Sequence, residues 1–276
     1  MNRKLIFVTL TILLVCLSFL AYRQATTGFF IYKGIELKGG NLVTVSFVDA
    51  GASDVSAIAS DLREKYGVIA YPVTSVVGMQ LSIESAEMDI SPIIGEINAT
   101  SEIKSYEVSR IDPKLGSSIL TEIINGIFFA FAAMAVIIFI LFRTPVPSFA
   151  VILAAFSDIV MVLFLMNLLG IELSVTTFTA LLMLLGYSVD TDILLTTRVL
   201  SEKGNFKTHY KSALKTGLTM TATSVVALGS ILLIAGYTSV FGQLAAVLIL
   251  GLMVDLPNTW IQNAVILDWY KEKYRR

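Results

Sequence analysis

Residues 119–142 read ILTEIINGIFFAFAAMAVIIFILF, and the single charge among them, Glu122, stands near the start. A helix of about 20 apolar residues crosses a bilayer, so this stretch places the chain in a membrane. Five other runs qualify, 5–22, 148–170, 175–198, 216–236 and 241–266, which makes six transmembrane helices. Composition agrees. Of 276 residues, 55% are hydrophobic and 15% charged, with mean hydropathy +0.79. A soluble domain averages about 45–50% apolar and about 25% charged, and disorder needs the opposite bias. A net charge of −1 argues against a nucleic-acid partner. Cys16 is the one cysteine and His209 the one histidine. They exclude a disulfide framework and a multi-histidine or cysteine metal centre, so no metal and no cofactor is expected.

The first run follows Arg3 and Lys4. It is longer than the roughly 7–15 residues of a signal h-region, and no small-x-small cleavage site follows it, so it reads as a retained anchor. Basic residues then set the orientation. With the N-terminus inside, the inner segments hold Arg3 and Lys4; Arg143; Lys203, Lys207, Lys211 and Lys215; and Lys271, Lys273, Arg275 and Arg276. The short outer loops near 171–174 and 237–240 hold no Lys or Arg. This gives three parts: span 1 within 1–22, an extracytoplasmic domain over 23–117, and five spans with a short cytoplasmic tail over 118–276. Both termini are expected in the cytoplasm of a multi-pass cell-membrane protein.

The outer segment has its own pattern. Residues 41–48, NLVTVSFV, are β-prone. Val55, Ile58, Ala59, Leu62 and Tyr66 share one helical face over 53–66, with Ser53 or Asp54 as N-cap and Gly67 as the stop. VIAYPVTSVV and MQLSIES read as two strands turning at Gly78. Ser91-Pro92 opens a short helix through Ala99, and 103–110 is a last strand. The order β-α-β-β-α-β is that of a small ferredoxin-like α+β domain lying between helices 1 and 2. It shows no catalytic constellation. Ahead of it, Gly34-Ile35-Glu36-Leu37-Lys38-Gly39-Gly40 implies a tight backbone path.

Charges at membrane depth cost at least ~2.5–3.5 kcal/mol each on insertion scales, so they mark candidate functional groups. Glu122 suits an interface. Asp158, Asp190, Asp192 and Asp255 lie deeper, with no Lys or Arg at mid-membrane to neutralise them. They are candidates to take up and release protons. Arg198, at the inner end of its span, either snorkels to the headgroups or pairs with an Asp of a neighbouring helix. The segments Leu185–Asp190 and Leu250–Asp255 both read Leu-Gly-x-x-Val-Asp. They set Gly186 and Gly251 one turn before an Asp, where glycine permits close helix approach. Asp190 and Asp192 project about 200° apart on a helix, so only one faces a given partner; Asp190, one turn from Gly186, has the better setting. The fifth span, rich in Thr, Ser and Gly, suits either close packing or the lining of a hydrated path to the carboxylates. Pro257 and Asn258 should open the sixth helix just after Asp255, and Gln262 and Asn263 add polarity beyond it. Phe206, Tyr210 and Leu214, flanked by Lys207, Lys211 and Lys215, suggest a short amphipathic helix on the inner membrane surface, with His209 exposed.

On these residues the whole chain resembles the SecD/SecF family of protein-export membrane proteins, part of the resistance-nodulation-division transporter superfamily. Gly34 to Gly40 is similar to the family's Gly-x-Asp-Phe-x-Gly-Gly, differing at Glu36 and Leu37. Gly186-Tyr187-Ser188-Val189-Asp190-Thr191-Asp192, ending at Arg198, resembles its fourth-span signature Gly-Tyr-Ser-Ile-Asn-Asp-Thr, with the acids shifted by one position. Ala213 to Ser224 resembles the opening of the family's fifth span. Six spans with one small outer domain fit the smaller member of the SecD/SecF pair. The resemblance implies an accessory, non-enzymatic subunit of the Sec translocon, working in the lipid bilayer with SecD beside the SecY channel on a translocating polypeptide. It also implies that proton flow drives the outer domains, with Asp190 and Arg198 as the carried-over coupling residues. Asp158, Asp192 and Asp255 are added by the residues alone. Three readings compete: a small-molecule exporter of the same superfamily, a passive membrane scaffold, and an intramembrane aspartyl protease using Asp190 and Asp255. The last lacks the Gly-x-Gly-Asp signature of its class.

Overall fold

The computed structural model describes residues 4–48, 50–75, 78–85, 90–201, 205–237 and 239–274. Arg3, Lys203, Arg275 and Arg276, used above to orient the chain, lie outside the described residues. Among the described residues, six helices are long and apolar enough to span a bilayer. They are α1 (Leu5–Thr27), α5 (Pro113–Phe142), α6 (Pro145–Leu169), α7 (Val175–Ser201), α8 (Phe206–Ala235) and a last one built from α9 (Val240–Pro257), a π-helical turn (Asn258–Asn263) and α10 (Ala264–Tyr274). The observed helices begin and end where chemistry dictates. Asp112 accepts a hydrogen bond from Lys114 N (2.7 Å) at the head of α5, and Asn205 one from Lys207 N (3.1 Å) at the head of α8. Pro145 and Pro113 occupy the first helical turn, where their missing N–H costs nothing.

Between α1 and α5 the chain forms α2 (Ile35–Lys38), β1 (Gly40–Phe47), α3 (Ala52–Tyr66), β2 (Ile69–Ser75), β3 (Gly78–Ser85), α4 (Ser91–Thr100) and β4 (Ile103–Ile111). The strands form one antiparallel sheet in the order β2-β3-β1-β4. Period-2 burial along β1 puts Val43, Val45 and Phe47 on the face that α3 and α4 cover through Val55, Ile58, Leu62, Ile93 and Ile97. The N-cap of α3 is Gly51, two residues ahead of Ser53 and three ahead of Asp54, the expected caps, and its N–H donates to the Asp54 carboxylate (3.1 Å). Asp54 thus caps from inside the first turn, because Ala52 and Ser53 are already helical.

The segment 206–214 is not a separate surface helix. It is the first part of the 30-residue α8. Phe206 stacks on Tyr210 (5.9 Å between rings), Tyr210 meets the Trp260 ring, and its hydroxyl donates to the Trp260 carbonyl (3.0 Å). Together with Leu214 these side chains join a buried cluster around Leu195, Val199 and Leu267. The apolar face is covered by protein, not by lipid headgroups, and His209 is half-buried.

The glycine stretch 34–40 becomes a collar between the sheet and the bundle. Gly34 N donates to the Leu173 carbonyl (2.8 Å), and Leu173 N to the Tyr32 carbonyl (2.7 Å). Glu36 Oε2 accepts from Val175 N at the first residue of α7 (3.0 Å), and Lys38 pairs with Glu172 (3.3 Å). Leu37 seats its carbonyl against Gly116 of α5. Glu84 of β3 completes the collar, accepting from the Tyr71 hydroxyl (3.2 Å). Its burial, with Glu172 close by, pushes its carboxyl above the usual range. An acid so raised binds more protons folded than unfolded, so it withdraws stability as pH rises from the ordinary carboxylate range through its folded value. Glu84→Gln is therefore expected to raise the melting temperature at neutral pH and to flatten its fall with pH. A melting series over pH checks this; an unchanged or steeper fall in the variant refutes it.

Candidate functional site

The buried stripe of α7 runs through Leu184, Ser188, Thr191, Asp192, Leu195 and Thr196, the spacing of one helical face. Asp192 lies on that stripe. Asp190, two residues earlier, turns away and is exposed at the surface of the bundle beside Gly186 and Tyr187. Of the pair, Asp192 is thus the one that meets the other carboxyls. In the last span, Asp255, Asn258, Thr259 and Gln262 recur at helical spacing, all wholly buried. Pro257 has no N–H to give the ladder, and the chain continues directly as the π turn. Such turns are frequent at functional sites. This one carries Asn258, Thr259, Gln262 and Asn263 toward α6 and α7.

Three carboxyl groups converge there, each at 0% exposure: Asp158 of α6, Asp192 of α7 and Asp255 of α9. Asp158 accepts from the Ser188 hydroxyl (2.5 Å) and from Asn258 Nδ2 (2.7 Å). Asp192 Oδ1 accepts from Asn263 Nδ2 (2.7 Å) and lies 2.9 Å from the Thr259 hydroxyl. Asp255 lies 2.9 Å from the same hydroxyl through Oδ1 and 3.0 Å from the Thr191 hydroxyl through Oδ2. Gln262 Nε2 donates to Ser157 (3.1 Å) at the edge of the cluster. Among the described residues, no Lys, Arg or His is a hydrogen-bond partner of the three acids.

The other candidates fall elsewhere. Arg198 is half-buried and donates through Nη1 to Ser212 of α8 (2.9 Å), so its described partner is a hydroxyl and not an Asp. Gly251 does bring α9 against α7, since a Cβ there would overlap the Leu184 side chain. Gly186 does not: nothing lies within 4 Å of the position its Cβ would take. The repeated motif therefore packs at one copy only, because α7 turns Gly186 outward with Asp190. Gly34, Gly39 and Gly40 belong to the collar. Ser188, Thr191, Thr259 and Asn263 complete the cluster. Ser188, Thr191 and Thr259 were signalled in the sequence as small polar residues within about one turn of an Asp, and Asn263 as polarity beyond Pro257.

The arrangement holds ionisable groups, linked by hydroxyls and amides, in the middle of a membrane bundle. The comparisons place this bundle in a family. Residues 93–273 match the family described as Protein export membrane protein SecD/SecF, C-terminal. The chain is 38% identical over 275 residues, 98% of its own length and 92% of the relative's, to the Protein-export membrane protein SecF of Pyrococcus furiosus. It is 39% identical to the protein of the same name from Haloquadratum walsbyi, covering 99% of this chain and 94% of that one. In fold it resembles the crystal structure of SecDF, a translocon-associated membrane protein from Thermus thermophilus, with a TM-score of 0.71 at 20% identity. That likeness covers 96% of this chain and 38% of the larger one. The chain belongs to the SecD/SecF family of protein-export membrane proteins, within its SecF branch.

Proposed function

We propose that this chain is an accessory, non-enzymatic subunit of the Sec protein-export machinery, working with SecD beside the SecY channel and coupling export of polypeptides to a proton gradient. The name shared by its relatives supports the export role. One observation carries the coupling: three wholly buried carboxyl groups from three helices meet with no basic partner among the described residues. An ionised carboxylate in that setting is costly, so a change in proton occupancy shifts the balance between arrangements of α6, α7 and the last span. The collar offers a route outward, since Glu36 and Gly34 tie the head of α7 and the loop before it to the sheet domain.

In this reading 1–22 anchors the chain and 23–117 is the extracytoplasmic domain. Its element order and strand order β2-β3-β1-β4 support a ferredoxin-like fold. Residues 118–276 form the proton-linked bundle in the cytoplasmic membrane, with both termini inside. Asp190 has a separate task. A carboxyl facing lipid costs ~2.5–3.5 kcal/mol. Asp190, Gly186 and Tyr187 thus mark the face of α7 on which SecD docks.

The test is export of a polypeptide in vesicles holding this chain, SecD and the SecY channel, with and without a proton gradient. Asp192→Asn and Asp255→Asn are expected to assemble yet lose the gradient-dependent part. Asp190→Asn is expected to weaken co-purification with SecD. Unchanged gradient-dependent export in both inner variants would leave a passive scaffold as the better description.

A further inference from the structure

Thr259 stands between two acids. Its Oγ1 is 2.9 Å from Asp192 Oδ1 and 2.9 Å from Asp255 Oδ1. A hydroxyl has one proton to give and two lone pairs to receive. It therefore donates to one carboxyl and accepts from the other, which must then be the neutral acid. Thr191 stands at the far oxygen of Asp255: its Oγ1 is 2.8 Å from the Ser188 carbonyl and 3.0 Å from Asp255 Oδ2. With its one proton directed at Oδ2, Thr191 makes that oxygen an acceptor and leaves the acid proton of Asp255 on Oδ1, facing Thr259. One carboxyl proton then completes the Thr259 bridge.

We propose that the Thr259 hydroxyl is a proton relay between Asp255 and Asp192. This rests on the proton-coupled reading above. The step balances. The Asp255 Oδ1–H bond breaks as its proton moves to Thr259 Oγ1, while the Thr259 proton leaves for Asp192 Oδ1. Threonine ends as it began, and one proton has crossed from α9 to α7. Asn263 Nδ2 holds the receiving oxygen in place (2.7 Å). The second oxygen of Asp192 has no hydrogen-bond partner, although wholly buried. Around the relay the ionisable groups are the third acid, Asp158 of α6, and the two it joins. Among the described residues, no Lys, Arg or His bonds to any of them.

The experiment is proton flux into vesicles holding the complex of this chain with SecD, read with an interior pH dye. Thr259→Val keeps the shape and removes the hydroxyl; Thr259→Ser keeps the hydroxyl. Each is checked for assembly. The valine variant is expected to lose at least about tenfold in flux and the serine variant to stay within about threefold of wild type. If valine passes protons as well as wild type, or serine fails as badly as valine, the relay is overturned. If wild type itself passes none, the failure lies with the proton-coupled reading. Should the valine variant not assemble, infrared titration of the wild-type carboxyl bands decides. A shared proton gives two separate release steps, and one superimposed step overturns sharing.

Discussion

Gly39→Ala is expected to destabilise the protein by about 2–5 kcal/mol, from two independent penalties. The first is backbone strain. Gly39 sits at φ 80°, ψ 158°, a region that side chains of L-residues do not tolerate. The second is overlap: its Cβ would fall 2.6 Å from Pro113 Cα and 2.7 Å from Pro113 N, the first residue of α5. Both neighbours are backbone and cannot swing aside. Gly28 provides the control. It has a similar φ of 76° at the end of α1, but nothing lies within 4 Å of its would-be Cβ. Gly28→Ala should therefore cost only the left-handed penalty, about 1–2 kcal/mol. Unfolding of both variants in detergent, followed by heat or denaturant, separates the terms. Equal losses would show that the collar does not press on α5 at Gly39.

The spans and the short strands and helices between the first two of them were legible because both rest on local patterns, apolar length and period-2 or period-3.6 alternation. What the pattern could not say is which surface covers an apolar face. Phe206, Tyr210 and Leu214 carry the spacing of a membrane-surface helix, yet Trp260 and Leu267, more than 45 residues on, cover them. The same blindness divides Asp190 from Asp192. The sequence states that they face different ways. Rotation of α7 about its axis is decided by long-range packing, with Leu184 against Gly251 and Thr191 and Asp192 against the last span. Asp158 and Asp255 stood out individually as buried charges. Their meeting depends on a π turn after Pro257, which the proline hinted at only as a break.

The contact between Asp158 and Asn258 offers the second large effect. Asn258 Nδ2 gives the 2.7 Å hydrogen bond to Asp158 Oδ1, and the Met161 sulfur is its other neighbour at 3.5 Å. Asn258→Leu preserves bulk but leaves Oδ1 without this donor in a site of 0% exposure, expected to cost about 1–3 kcal/mol. Asp158→Leu strands the amide and the Ser188 hydroxyl in the same way. The double variant removes both polar sides of the contact, so it should fall short of the summed losses by about 1–3 kcal/mol. Interhelical hydrogen bonds inside membrane bundles average only about 0.6 kcal/mol. A coupling above that average is expected here because the acceptor is a carboxyl wholly removed from water, for which an unmade bond is most expensive. The cycle is measured by unfolding in detergent with the three variants side by side. Coupling near zero would mean that Asn258 does not hold Asp158. The first step of α6 toward the other two acids would then need another support. Coupling of the expected size would make the π turn the element that fixes Asp158 relative to Asp192 and Asp255, since the same turn supplies Asn258 to the one and Thr259 to the others.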